Sequence, residues 1–481
     1  IARDNAEVVK GNAGSPYAIK DYYDIDPDLA VNVPERMKEF EQLVERTHRA
    51  GLKMIMDFVP NHVARQYHSD SKPAGVKDLG ETDNTELAFS AQNNFYYIPK
   101  ESLHLDNIIG NKASYIETPA RVSGNDVFNA WPSINDWYET IKLNYGIDYQ
   151  NGHSTHFSPI PDTWKKMTEI LLFWAGKGVD GFRCDMAEMV PVEFWNYAIA
   201  QVKKQHPKSK FIAEVYNPGE YRNYIHTGGF DYLYDKVGLY DTLRSIVRGE
   251  NSATAITHCW QATDDIQDHM LHFLENHDEQ RIASPFFVGN AEKALPALVV
   301  SAALDKAPMM IYAGQEIGEK GMGNEGFSGE DGRTTIFDYW GVPSYQKLIR
   351  GIKYLDKDET KLYTFYRSII KIINSSEAIR EGKKFDLMYA NDASQNFNPH
   401  RTFAMLRSTG EKTALIVANF ADTEQKLCIN IPSAAFEYLG IKPQTIKAKE
   451  LISGKSLPLT LSTTEPTKVT ISANNAVIIA F

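Results

Sequence analysis

Cysteine is scarce in this chain: it carries three, Cys184, Cys259 and Cys428, too widely scattered to suggest a disulfide framework or a CxxC metal pair. They are expected to be buried, inert thiols. Long hydrophobic runs are lacking as well. No stretch approaches the roughly 20 consecutive apolar residues that a membrane span needs, and Ile1 to Lys10 has no apolar core of the kind a secretory leader carries. Positive charge is in deficit, with 51 Lys and Arg against 62 Asp and Glu and a net charge of −11. No basic cluster interleaves with aromatics, so nucleic acid is an unsuitable partner. Repeats at a solenoid period and low-complexity segments are also missing. What is there is ordinary globular composition, 43% apolar and 23% charged over 481 residues. That is enough for one large domain and a smaller one, and a neutral or polar ligand suits it best.

From Pro34 to about Lys306 one phrase recurs: an amphipathic helix, a Gly or polar break, then a short apolar run ending in polar residues. The first helix shows the rules. Pro34 suits a first helical position, Met37, Phe40 and Val44 fall on one face, and Gly51 stops it. A strand over 53–59 follows, and further strands are predicted at 179–185, 210–215, 230–234, 270–275 and 308–312, with helices at 163–177 and 192–206. Six such strands are compatible with an eight-stranded parallel barrel or with an open, doubly wound sheet. The connection from Asn61 to Gly178, about 120 residues, far exceeds the usual βα loop and implies an inserted subdomain. Beyond a helical stretch at 344–381 the period changes to short alternating or β-branched runs at 402–407, 413–420, 426–431, 468–472 and 476–481. These predict a separate all-β domain, a sandwich.

Polar residues gather where the apolar strands end: Asp57, Asn61 and His62 after the first, Arg183 and Asp185 on the second, Glu214 on the third, His277 and Asp278 after the fifth. In parallel α/β folds the carboxyl ends of strands are where sites are built. Strand alternation sends Arg183 and Asp185 to one face and Phe182 and Cys184 to the other. An Arg beside Asp185 is expected to lower its pKa and keep it ionised, as a nucleophile requires. Glu214, in the apolar run Phe211 to Val215, is expected to stay protonated as an acid. Taken singly, each carboxylate reads better as part of a structural ion-pair lattice. Convergence at four strand ends reverses that preference, and an acid paired with a nucleophile is the demand of glycoside hydrolysis.

The segments Asp57-Phe58-Val59-Pro60-Asn61-His62, Gly181-Phe182-Arg183-Cys184-Asp185, Ile212-Ala213-Glu214-Val215 and Phe273-Leu274-Glu275-Asn276-His277-Asp278 resemble, in order and spacing, the four signature regions of the bacterial-type α-amylase family of glycoside hydrolases. Ser15 to Tyr22 resembles the family's segment with a sugar-stacking tyrosine, and Pro308 to Glu316 its last barrel strand. The resemblance implies a (β/α)8 barrel over 1–60 and 153–382, an inserted domain over 61–152 after the third barrel strand, and a C-terminal β-sandwich over 383–481. It implies that Asp185 attacks the anomeric carbon with retention, Glu214 serves as general acid/base, and Asp278 steadies the distorted ring. His62 and His277 then bond sugar hydroxyls, Tyr17 stacks on the sugar, Arg183 orients Asp185, and Asp57 is a structural neighbour of the site. No cofactor is required for the chemistry, and Asn61 stands where the family often holds a structural calcium.

Two departures qualify the match. Where many amylases have a Lys-His pair just beyond the nucleophile, this chain has Glu188 and Met189, which changes the leaving-group side of the cleft. The family also places two strands and a helix before the Tyr17 segment, so the first two barrel strands, roughly 40 to 60 residues of βαβ structure, are expected to be missing from this sequence. The expected substrate is an α-1,4-linked glucan or maltooligosaccharide. The alternatives are a disaccharide or sugar-phosphate specialist of the same fold (a maltosyltransferase, a trehalose- or sucrose-active enzyme) and a non-catalytic relative. Compartment stays open, with unpaired thiols leaning toward a reducing, cytoplasmic interior.

Overall fold

The structure is a computed structural model that describes residues 3–327, 331–339, 341–392 and 396–481. Those residues form two compact units, one of the described residues up to Leu233 with Phe337–Tyr339, the other of the remaining described residues from Tyr234 to Phe481.

In the first unit the helix Arg36–Arg49 is preceded by a single 3-10 turn, Val33–Glu35, which contains Pro34. Pro34 is therefore the second residue of the turn that leads into the helix, not the first residue of the helix itself. Phe40 meets Trp174 edge-on at 5.3 Å and Val44 is buried, while Gly51 takes the left-handed conformation (φ +74°) that ends the segment. The strand Ile55–Phe58 pairs in parallel with Gly181–Cys184, which pairs with Lys210–Ala213, which pairs with Tyr232–Tyr234. Helices Asp162–Gly176 and Val192–Gln205 supply the crossovers, burying Trp164, Ile170, Phe194 and Trp195. Every residue of Gly181–Cys184 is buried, because a parallel strand covered on both faces has no solvent side.

The long connection contains short antiparallel pairs, His62–Ala64 with Thr140–Lys142 and Tyr97–Ile98 with Ala120–Arg121. At its centre Glu117 joins two arginines, Arg65 Nη1 to Oε1 at 2.8 Å and Arg121 Nη2 to Oε2 at 2.8 Å. Burial pushes the Glu117 carboxyl up, but Arg65 and Arg121 together hold it below the usual carboxylate range.

In the second unit Met270–Phe273 pairs in parallel with Met309–Met310. The helical stretch after 343 is broken by Gly351 (φ +121°), and its longest helix, Lys357–Ser375, starts at a capping box between Asp356 and Glu359. An antiparallel sheet follows in the order Lys383–Asp386, Thr402–Ser408, Thr413–Asn419, Asn475–Ala480, Gln444–Glu450, Ser456–Leu461, accompanied by the pair Gln425–Ile429 with Thr467–Ile471. Asn475–Ala480 therefore lies inside the sheet, between strands that precede it in the chain. Arg407, 1% exposed, donates to the carbonyls of Ala303 at 2.9 Å and of Ile379 and Gly382 at 2.6 and 2.9 Å. Six parallel strands and an antiparallel domain are the fold of a (β/α)8 barrel with a C-terminal β domain. No helix among the described residues is long and apolar enough to cross a membrane.

Candidate active site

Four of the sequence-derived candidates are bound together by one guanidinium. Arg183 lies on the last turn of pleat in Gly181–Cys184, and its side chain emerges at the carboxyl end of the sheet. There Nη1 meets Asp185 Oδ1 at 3.0 Å, Nη2 meets Glu214 Oε2 at 2.9 Å, and Nε lies 3.7 Å from Asp57 Oδ1. Parallel register explains the convergence: Asp57 is the partner of Arg183, and Arg183 of Ile212, so neighbouring strands present their ends side by side. Tyr17 joins this group. Its hydroxyl donates to Asp57 Oδ2 at 2.9 Å, and its ring centre is 5.7 Å from the Arg183 guanidinium.

Glu214 also accepts from the Met186 backbone N–H at 2.8 Å and from the Tyr216 hydroxyl at 2.5 Å. Met186 is in the left-handed region (φ +43°, ψ +43°), where a residue other than glycine is strained. That turn, directly after Asp185, aims its amide at Glu214. Neither donor was foreseen from the sequence. Tyr216 lies two residues beyond Glu214, and alternation on one face was the signal available for it. Met186 offered none, since a backbone amide has no side-chain identity.

Asp185 corrects an expectation. Its pKa is not lowered by Arg183 but raised to about 8, because burial and the nearby Glu214 carboxylate outweigh the guanidinium. A second buried carboxylate on the same arginine disfavours the charged form of Asp185, and burial adds to that.

His62 is 4% exposed, its ring stands 5.1 Å from that of Trp137, and Asn61 Nδ2 lies 3.2 Å from its Nδ1. Burial, reinforced by the Lys142 ammonium, lowers its pKa to about 3, so it is a neutral imidazole at any working pH. Asn61 has both polar atoms of its side chain engaged. The residues around it do not fit a calcium ion: its Oδ1 accepts from Lys142 Nζ at 3.0 Å, its Nδ2 donates to the Gly124 carbonyl at 2.7 Å, and no cluster of three acidic, His or Cys ligands occurs among the described residues. Calcium needs six to eight oxygens, with carboxylates prominent. Glu188, at the position that departs from the family pattern, accepts from the Asn217 backbone N–H at 3.1 Å.

The remaining two candidates belong to the second unit. His277 Nε2 lies 3.1 Å from Asp278 Oδ2, and the Asn276 side chain accepts from the amides of Asp278 and Glu279 at 3.0 and 2.9 Å, fixing the turn that carries them. Glu275 beside them is structural: it is buried, with its pKa pushed up to about 7 by burial against the pull of Arg281, which it meets at 2.8 Å. A cavity of about 520 Å³ in this unit, lined by Trp260, Asp305, Lys384, Asp386 and Arg407 among others, contains none of the candidates. All three cysteines are free.

The model of the alpha-amylase catalytic domain matches residues 9–382. Alpha-amylase 3 of Dictyoglomus thermophilum is 25% identical over 390 residues, which are 76% of this chain and 68% of that protein. Alpha-amylase 2 of the same organism is 22% identical over 88% of this chain, which spans 61% of that relative's length. Among solved structures, a noncanonic maltogenic alpha-amylase AmyB from Thermotoga neapolitana superposes with a TM-score of 0.65 at 21% identity, covering 100% of this chain and 88% of that one.

Proposed function

This chain belongs to the alpha-amylase family, a family of glycosidases, and from that premise we propose that it is a retaining hydrolase or transglycosidase of α-1,4-linked glucans. Asp185 is the nucleophile, Glu214 the general acid/base and Asp278 the third carboxylate. The observation that carries the reading is the bridging of Asp185 and Glu214 by Arg183. Retaining enzymes keep their two carboxyls roughly 5 to 5.5 Å apart and inverting ones roughly 6.5 to 9.5 Å, and a shared guanidinium favours the short spacing.

In this reading Glu214 gives a proton to the glycosidic oxygen as the bond to the anomeric carbon breaks. The Asp185 carboxylate forms a covalent glycosyl ester on the opposite face. Glu214, now a carboxylate, takes a proton from water or an acceptor hydroxyl, which attacks the same carbon and releases Asp185. Arg183 balances charge as it moves between the two groups. Neutral His62 can donate to a sugar hydroxyl without changing its charge, His277 is assigned the same task, and Tyr17 offers its ring face to the sugar.

Glu188 favours a second reading, a specialist releasing or transferring short units, because it places an acid where many amylases have a lysine. The names of structural neighbours, which include a maltogenic alpha-amylase and a cyclomaltodextrinase, support products of that kind. Incubation with maltoheptaose, trehalose, sucrose and maltose-1-phosphate separates the readings, with Asp185→Asn as the blank and anomeric configuration followed by NMR. Short α-configured maltooligosaccharides from maltoheptaose support the first reading. Turnover of a disaccharide or the phosphate alone selects the specialist, β-configured initial products refute retention, and silence on all four refutes both.

A further inference from the structure

We propose that the ammonium of Lys142 is a built-in cation that fixes the junction between the first strand and the inserted segment, in the position where the family resemblance implies a metal. The side chain is 2% exposed. Its Nζ lies 3.0 Å from Asn61 Oδ1, 2.5 Å from Asp126 Oδ1 and 5.1 Å from the centre of the Tyr149 ring. An ammonium has three protons to place. Two go to an amide oxygen and a carboxylate, the oxygen types that ligate calcium, and the third side is closed by an aromatic face that attracts a cation.

The surrounding backbone is arranged around that charge. Lys142 is the cross-strand partner of His62, and its amide donates to the Val122 carbonyl at 2.8 Å, which draws the turn 123–127 over it. Asp126 takes a left-handed conformation (φ +65°) in that turn. Asn61 completes the circuit: while its oxygen accepts from Lys142, its amide nitrogen donates to Gly124 O at 2.7 Å and lies 3.2 Å from His62 Nδ1. One positive charge thus ties together the residue after the first strand, the edge of the insert and the imidazole assigned to the sugar. A divalent ion beside it would meet repulsion from Lys142, and only once the ammonium is gone do Asn61, Asp126 and entering waters offer it oxygens. Lys142 is accordingly a positioning residue for His62, and the junction it holds needs no metal.

Calorimetry on the full chain tests this independently of any substrate. Wild-type protein dialysed against EDTA should melt at the same temperature as in millimolar CaCl2. Lys142→Ser, which removes the ammonium and leaves Asn61 and Asp126 facing an opening, should melt lower and gain Tm saturably with CaCl2. Adding Asp126→Asn should abolish that gain. A wild-type Tm that falls on chelation, but no longer does so in Asn61→Ser, overturns the proposal, as does a Lys142→Met variant as stable as wild type. If Lys142→Ser does not fold, Asp126→Asn carries the test, with a lower Tm and no response to EDTA expected, and a chelation-sensitive Tm overturning the idea. Because His62 is assigned to the sugar by the function proposed above, Lys142→Met should also raise KM more than it lowers kcat, with Lys142→Arg restoring KM. A change in Tm without one in KM would uphold the cation and count against the role of His62.

Discussion

At the scale of the residue, Arg183 concentrates the electrostatics of the site. It faces Asp57, Asp185 and Glu214 with separate nitrogens, a task for a planar fork that a single ammonium cannot perform. Arg183→Lys should therefore lower kcat/KM by roughly 100-fold or more, with part of the loss in kcat, since two carboxyls lose their fixed spacing. Glu214→Gln should cost roughly 10²- to 10⁴-fold in kcat, the usual worth of a general acid, and azide should rescue turnover of an activated fluoride substrate. The raised pKa of Asp185 carries a stability signature with a definite sign. The folded state holds a proton up to about pH 8 that the unfolded Asp releases near pH 4, so between those values wild-type stability falls as pH rises. Asp185→Asn removes that slope. Its stability advantage over wild type should grow from pH 4 to pH 8, by at most about 1.4 kcal/mol per pH unit, and a pH-independent difference in Tm would refute the raised pKa. Arg183 and Asp185 were legible because alternation in one strand puts them on one face. Lys142 was not: its partners Asn61 and His62 lie some 80 positions away, and only the register of two three-residue strands brings them together. The balance of burial against Arg183 at Asp185 was equally hidden, since a sequence names neighbours but not how much water surrounds them.

At the scale of the element, the inserted segment is held by charge as well as by apolar contact. Glu117 is 6% exposed between Arg65 and Arg121, and removing one member of a buried ionic group costs about 3 to 5 kcal/mol because the others are left unpaired. Glu117→Gln should lower the urea midpoint by a corresponding amount at pH 7. Since the folded carboxyl is held below its unfolded value, the wild-type advantage is full at neutrality and disappears as pH falls below about 4. Urea melts of both proteins at pH 7 and pH 3 check this: the gap should shrink at the lower pH. The barrel helices and strands were legible because a 3.6-residue period breaking into short apolar runs has few other solutions. The insert was legible only as an excess of length, for its strands are two or three residues long and carry no period. In the C-terminal sheet the buried runs Thr402–Ser408 and Thr413–Asn419 announced themselves. The hairpin Gln444–Glu450 with Ser456–Leu461 did not, because it is largely exposed, rich in Lys and Thr, and carries Pro458.

At the scale of the whole molecule, the negative surplus makes one expectation of the proposed function direct. The α-glucan proposed as substrate carries no charge to steer, so KM should be nearly unchanged as NaCl rises from about 0.05 to 0.5 M, over which the Debye length falls well below 10 Å; a steep salt dependence would indicate a charged substrate and favour the sugar-phosphate alternative. Arg407 bears on the integrity of the second unit. It satisfies carbonyls at Ala303, Ile379 and Gly382 from within the C-terminal sheet, so Arg407→Met should destabilise that unit by about 3 kcal/mol or more, measurable as the loss of its transition in calorimetry. The order in which the ribosome delivers the chain adds a further consequence. Asn475–Ala480 sits between Thr413–Asn419 and Gln444–Glu450 yet is made after both. During synthesis Thr413–Asn419, buried along its whole length in the folded sheet and apolar from Ala414 to Ala418, must wait with one bare edge while some sixty residues emerge, at a translation rate of about 5 to 20 residues per second. For several seconds that edge is open to any passing strand, and in that interval nascent chains on neighbouring ribosomes can pair with one another before each has made the strand that closes its own sheet.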